Sequence, residues 1–427
     1  MLEIFVRANI DSVTNTTVKA WLSSWSNPFS PYSAGLLREN GMDEHYGIGD
    51  RFGTQYSDLV NQGLYNPLNM TFQNTRVERT AVSAQSFSAG LFDGRGTLPN
   101  RATPIYSFNL PDHADPLLRP FDTCPAFSSQ YDNALSHNTE LASWNAQMLP
   151  SIASRMSALF GTTVNTSLVQ TMHEACAFEF AVLNQSQQFC TLFNDTDFQV
   201  FEYATDLLEY WSRSYGLPIG WQIAAPLLSD FTNAMRSKFD SIVSSSATSF
   251  STSSFKFAHA ETMMPFLSIL GLYNDSQPLR ASWTWDQIHA RQFRTSWLFP
   301  FASNLAMLGY DCANSSGLPE RFYVKLQHNE RDVTVPGCES TSQGPFCGFT
   351  QFLAIYDSKL SINFGQLCSV PIPQPPPTAP KFYAIYVWGP TALMATMIVS
   401  LLVGFYVGTR RPMPKRSEPL LSGNENY

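Results

Sequence analysis

The residues best able to do chemistry lie at His259 and Glu261, inside Phe255–Pro265 (FKFAHAETMMP). An apolar run, then His-Ala-Glu, then a return to apolar residues is the pattern of a strand that ends at a site and turns into a helix. An imidazole and a carboxylate two residues apart in that place suit a phosphate ligand and a general acid. The same pattern also describes a histidine satisfied near a helix start, and on these residues alone both readings stand. Arg79 leads a second stretch, RTAVSAQSFSAGLF, rich in small residues. An arginine fork at a helix start can hold an anion, although most arginines in such places face solvent.

Elements able to carry these groups are legible in the hydrophobic spacing. Leu149, Ile152, Met156 and Leu159 step by three, four and three, which predicts one helix face with Pro150 in the first turn. A second helix is expected over Asp197–Tyr215, with Val200, Ala204, Leu207, Leu208 and Trp211 on one side and Gly216 as a stop. Both stripes read as core. Phe322, Val324 and Leu326 alternate as a strand does. Strands flanking a helical middle third predict an α/β core with a cap.

Composition narrows the function classes. The chain has 427 residues, with 26 Lys and Arg against 34 Asp and Glu, and a net charge of −8. No global basic field exists to gather nucleic acid, so nucleic acid is not an expected partner. Charged residues are 14%, well below the usual ~25%, which argues against a charged disordered chain or a coiled coil. No CxxC pair and no Cys/His cluster has zinc-ligand spacing, and neither metal nor cofactor is expected.

The C-terminal part reads as a membrane anchor. Phe382–Gly408 carries no charge, and Arg410, Arg411, Lys415 and Arg416 follow it. That predicts one transmembrane helix and a cytosolic tail, with the preceding body lumenal or extracellular in type I orientation. The compartment would be the secretory pathway, a lysosome-like organelle or the cell surface. Prolines at 371, 373, 375, 376, 377 and 380 make a stiff stalk before it. Seven N-x-S/T sequons, at Asn15, Asn69, Asn165, Asn184, Asn194, Asn274 and Asn314, suit a glycoprotein. Cys176 with Cys190 and Cys338 with Cys347 are spaced as local disulfides. Met1–Thr17 is no signal peptide, being interrupted by Glu3, Arg7 and Asp11. The cysteine count of seven is odd. Both suggest that the chain lacks its natural beginning.

Several ordered segments together resemble the histidine acid phosphatase family, in particular its multiple inositol polyphosphate phosphatase branch. They are Arg79-Thr80 with Ser83-Ala84 and Gly90-Leu91-Phe92; the Cys176–Cys190 stretch ending QFCTLF; Phe257–Thr262 followed by Pro265; Pro300–Asn304; and Val324–Glu330. His-Ala-Glu in place of His-Asp is the mark of the branch. The resemblance implies a doubly wound, mostly parallel α/β sheet of phosphoglycerate-mutase-like type with an α-helical cap. It implies that Arg79 and His259 hold the phosphoryl oxygens and that Glu261 protonates the departing alkoxide. Resemblance to fungal phytases further implies a Cys124–Cys368 bridge, with Cys312 left over. The family's R-H-G-x-R-x-P motif, source of the histidine nucleophile, has no counterpart: no Arg-His-Gly occurs in the sequence.

The expected organisation is therefore a first part of the core over 1–108, a helical cap over 109–245 and a second part of the core over 246–368. The stalk (369–381), the transmembrane helix (382–408) and the basic tail (409–427) follow. One function is hydrolysis of phosphomonoesters of highly phosphorylated small molecules such as inositol polyphosphates, through a phosphohistidine, by a chain that as it stands has no nucleophile. The alternative is a catalytically silent, membrane-anchored glycoprotein with a phosphatase-like binding ectodomain. The acidic net charge does not draw polyanions at long range, so any attraction must come from a local cationic pocket.

Overall fold

The computed structural model describes residues 2–369 apart from 30, 61–64, 97, 99–101, 245–251, 314–317, 339–340 and 342–343. Met1–Val370 form one compact unit. Its framework is helical because successive helices start on strong caps. Asn138, Asn165 and Asn194 each accept a hydrogen bond from the backbone N–H three residues on, opening helices Thr139–Phe160, Thr166–Leu183 and Asp195–Arg213. Their apolar stripes meet in one core that includes Leu149, Ile152, Met156, Val169, Val200 and Leu207. The Asn138 cap starts its helix well before Leu149, so Pro150 lies in the helix interior and not in the first turn.

Two small sheets sit among these helices. β1 (Met70–Asn74) is central to a parallel sheet with β2 (Ser107–Phe108) and β3 (Ser253–Phe257), in register Phe72↔Phe255. β4 (Leu305–Asp311), β5 (Phe322–His328), β6 (Arg331–Val333) and β7 (Cys347–Gly348) form an antiparallel sheet around β5. The alternating run at Phe322–Leu326 is part of β5, in register Gly309↔Val324.

This corrects the expected architecture. The described residues build a mostly helical fold with two separate small sheets, not one doubly wound parallel sheet. The physical reason is the scarcity of strand-forming chain. β2 is two residues long, and most of the described residues between β1 and β3 are helical.

The membrane assignment is corrected too. No helix among the described residues is long and apolar enough to cross a membrane. Phe382–Gly408, the proline stalk and the basic tail lie outside the described residues. A membrane partner and a type I lumenal location are therefore not retained. The sequons also have another use. Asn15, like Asn165 and Asn194, caps a helix, and Asn184 ends one in the left-handed region at φ 53°. Asn-x-Ser/Thr is also how a helix start is spelled, so the glycoprotein reading is not carried forward; Asn69 and Asn274 lie outside helices, and Asn314 is outside the described residues.

Two helices fix the part of the fold that bears Arg79. Glu39–Gln55 packs on Glu78–Leu91 so closely that backbones touch. A Cβ on Gly49 would lie 2.0 Å from the Phe87 carbonyl oxygen, and one on Gly90 1.9 Å from that of Tyr46. Phe72, Phe87, Leu91 and Phe92 form a second core beneath this pair, with Phe255 and Phe257 packed against it.

Candidate active site

Parallel pairing brings the candidate residues together. β1 and β3 point the same way, so the residues after Asn74 and after Phe257 emerge at one edge. Thr75 N–H donates to the Phe257 carbonyl at 3.1 Å and locks the two ends side by side. His259 follows as the N-cap of helix Ala260–Ile269, and Arg79 lies in the first turn of Glu78–Leu91. Arg79 Nη2 donates to His259 Nδ1 at 3.1 Å.

That contact settles the imidazole. A guanidinium only donates, so Nδ1 must be the acceptor and the ring proton sits on Nε2. Nε2–H donates to Thr75 Oγ1 at 2.9 Å. The Thr75 hydroxyl donates to Thr80 Oγ1 at 2.8 Å, and the Thr80 hydroxyl in turn is shared between the carbonyls of Thr75 and Val77. A neutral ring agrees with its surroundings. Burial, and then the Arg79 charge, push the His259 pKa down to about 4, with Arg119 adding in the same direction and Glu261 and Asp122 opposing.

Neighbouring segments complete the surroundings. Thr262 Oγ1 donates to the Leu118 carbonyl at 2.6 Å and ties the start of the Glu261 helix to the segment that bears Arg119. Arg119 pairs with Asp122, and the Phe121 ring stands edge-on to His259 at 6.1 Å. Glu261 lies in the first turn and lines a cavity of about 220 Å³ with Phe121, Tyr131, Asp132 and Arg213. Arg213 is held by both Glu209 carboxylate oxygens, at 2.9 and 2.8 Å, and by the Tyr131 hydroxyl. Burial raises the Glu209 pKa against the pull of Arg213.

Of the residues singled out in the sequence, Arg79 and His259 are in contact, and Glu261 faces the adjoining cavity without a hydrogen bond to either. Cys124–Cys368, Cys176–Cys190 and Cys338–Cys347 are disulfides, and Cys312 is a free thiol. Sequence reasoning did not find Thr75, Arg119, Phe121, Tyr131 or Arg213. Thr75 is 184 residues from its partner His259, and no local motif announces the pairing.

Comparison with known proteins places the family. The family model of the histidine phosphatase superfamily (branch 2) matches residues 8–329. Multiple inositol polyphosphate phosphatase 1 of Dictyostelium discoideum is 32% identical over 402 residues, covering 82% of this chain and 62% of that protein. The Homo sapiens protein of the same name is 28% identical over 330 residues, covering 75% and 66%. The chain thus spans a little under two thirds of the length of these relatives. Among solved structures, the phytase from D. castellii aligns at TM-score 0.67 and 18% identity, over 86% of this chain and 77% of that one. The multiple inositol polyphosphate phosphatase of Bifidobacterium longum, solved with inositol hexasulfate, aligns at TM-score 0.57 and 16% identity, over 82% and 86%. At such identities the structures speak for the fold alone. The family match covers most of the chain and includes both ends of the Arg79–His259 contact, so the chain belongs to the histidine phosphatase superfamily (branch 2).

Proposed function

We propose that the Arg79–His259–Glu261 site acts on phosphomonoesters of highly phosphorylated small molecules, inositol polyphosphates above all. The observation that carries this reading is the 3.1 Å contact of Arg79 with His259 at the mouth of two parallel strands, with Glu261 in the helical turn that follows. The names of the relatives support the choice of substrate. An arriving phosphoryl group takes Arg79 as a two-pronged donor. It also places negative charge beside His259, which favours protonation of Nδ1 and turns that nitrogen from acceptor to donor. Glu261 supplies the proton that an alkoxide needs to leave.

The resemblance to histidine acid phosphatases implies a double displacement. A histidine nitrogen attacks phosphorus, the ester P–O bond breaks, and the alcohol departs with the proton of Glu261. Water then attacks the phosphohistidine while the Glu261 carboxylate takes up a proton, and inorganic phosphate is released. The 427 residues contain no Arg-His-Gly to supply that nucleophile. The second reading is a protein that binds phosphate esters without turning them over.

Phosphate release from phytate separates the two. The 427-residue chain is compared with the same chain carrying an added N-terminal segment that includes R-H-G-x-R-x-P. Loss of a nucleophile costs on the order of 10⁶ in rate in a well-studied hydrolase of another family, so the extended form is expected to release phosphate and the shorter one to be slower by orders of magnitude. Comparable rates in the two forms, abolished by Glu261→Gln, would show that the histidine is not required and would sink the mechanism.

A further inference from the structure

The turn that links β1 to the Arg79 helix carries a second arginine. Val77 N–H donates to the Thr75 carbonyl at 2.8 Å, which makes a three-residue turn with Arg76 at its apex. Hydrogen bonds fix this turn on both sides. The buried Thr80 hydroxyl is shared between the Thr75 and Val77 carbonyls, and Thr75, itself buried, is bonded to His259 Nε2. Arg76 is exposed. Its Cα follows that of Thr75 by about 3.8 Å, so its long side chain starts at the mouth that Arg79 and His259 share.

The local charges leave Arg76 over. Arg51, Arg119 and Arg213 pair with Glu330, Asp122 and Glu209. Among the described residues no carboxylate pairs with Arg76 or Arg79. Glu78, the acid between them, instead accepts the Leu37 N–H at 3.0 Å. Its one charge offsets one guanidinium and not both. A phosphoryl group bound at the site takes Arg79, and the second guanidinium remains beside it on a turn that is already ordered, which lowers the entropy lost when it closes on a ligand. We infer that Arg76 takes a second phosphate of the ligand, next to the phosphoryl held by Arg79 and His259, and so favours esters that carry several phosphates. A guanidinium fork suits this task, because it meets a phosphate with two parallel N–H···O bonds. This inference rests on the proposed roles of Arg79 and His259 and names the residue that reads the rest of the ligand.

Titration calorimetry on the full chain tests it with three probes: inorganic phosphate, an inositol monophosphate and inositol hexakisphosphate. Arg76→Ala is expected to weaken the hexakisphosphate about 10-fold, the size of a hydrogen bond to a charged group. The other two probes should stay within about 2-fold, the scale of an exposed charge acting without contact. Arg76→Lys keeps the charge without the fork and should recover part of the loss. Arg331→Ala removes an exposed arginine from β6, in the other sheet, and should change nothing. Hexakisphosphate binding that Arg76→Ala leaves unchanged, weakens only as much as the monophosphate, or weakens no more than Arg331→Ala does overturns the inference and leaves the phosphoryl pair standing. Inorganic phosphate that does not bind, or binds equally well after Arg79→Ala, overturns the reading of the pair and the inference with it.

Discussion

His259 is where a single proton decides the behaviour of the site. Its folded pKa lies at about 4, below the ordinary 6.5, because burial and Arg79 disfavour the imidazolium. Between those values the unfolded chain takes up a proton that the folded chain refuses. The stability that neutral His259 contributes is therefore complete above pH 6.5 and is lost as the pH falls toward 4. NMR titration of the ring is expected to give a midpoint near 4, and added inorganic phosphate should move it upward. Arg79→Ala should raise the midpoint without any phosphate, since the arginine is the second largest cause of the shift. A midpoint indifferent to that substitution would mean that the 3.1 Å contact is not what keeps Nδ1 unprotonated. The strand end and helix start that carry His259 and Glu261 were legible in the sequence because that signature is local. Thr75, Arg119 and Phe121 were not, because each meets His259 only after the chain has closed long loops.

Helix and strand identities were more legible than the way they assemble. The stripes at Leu149–Leu159 and Val200–Trp211 gave helices, and alternation at Phe322–Leu326 gave a strand, because each period is written within a few turns or pleats. Which strands pair is not written locally, and so the division into a three-stranded parallel and a four-stranded antiparallel sheet did not show. Nor did the backbone contact between the helices Glu39–Gln55 and Glu78–Leu91, which rests on Gly49 and Gly90. A methyl at Gly90 must push the helices apart, because the obstacle is the Tyr46 carbonyl and not the end of a side chain. Gly90→Ala is expected to destabilise by about 2–3 kcal/mol in urea denaturation. Gly47→Ala, on the facing helix Glu39–Gln55, meets only the end of the Arg51 side chain. It should be neutral or stabilise by up to about 1 kcal/mol through helix propensity. Equal stability of the two variants would show that the glycine contact does not set the spacing of the helices.

At the scale of the whole unit, the Cys124–Cys368 bridge joins the last of the described residues to the neighbourhood of the site. It closes 244 residues and lies directly after Pro120–Thr123, whose Phe121 and Asp122 stand beside His259. Around it Phe127, Ile219 and Ile223 form a small separate core. Cross-linking so long a loop removes unfolded-state entropy worth roughly 5 kcal/mol in the chain-entropy model, against roughly 3 kcal/mol for the 9-residue separation of Cys338–Cys347. Cys124→Ala/Cys368→Ala should therefore lower the melting temperature more than Cys338→Ala/Cys347→Ala does. It should also weaken binding of inorganic phosphate, because releasing residue 124 frees Phe121 and Arg119 from their places around the imidazole. Cys338–Cys347 lies by β7, in the other sheet, and its removal has no such route to His259. If both pairs cost the same stability, or if phosphate binding tracks stability alone in the two variants, the long bridge is a clamp on the fold and not a support for the site. A larger loss of binding than the loss of stability explains would place Cys124–Cys368 among the elements that hold Phe121 against His259.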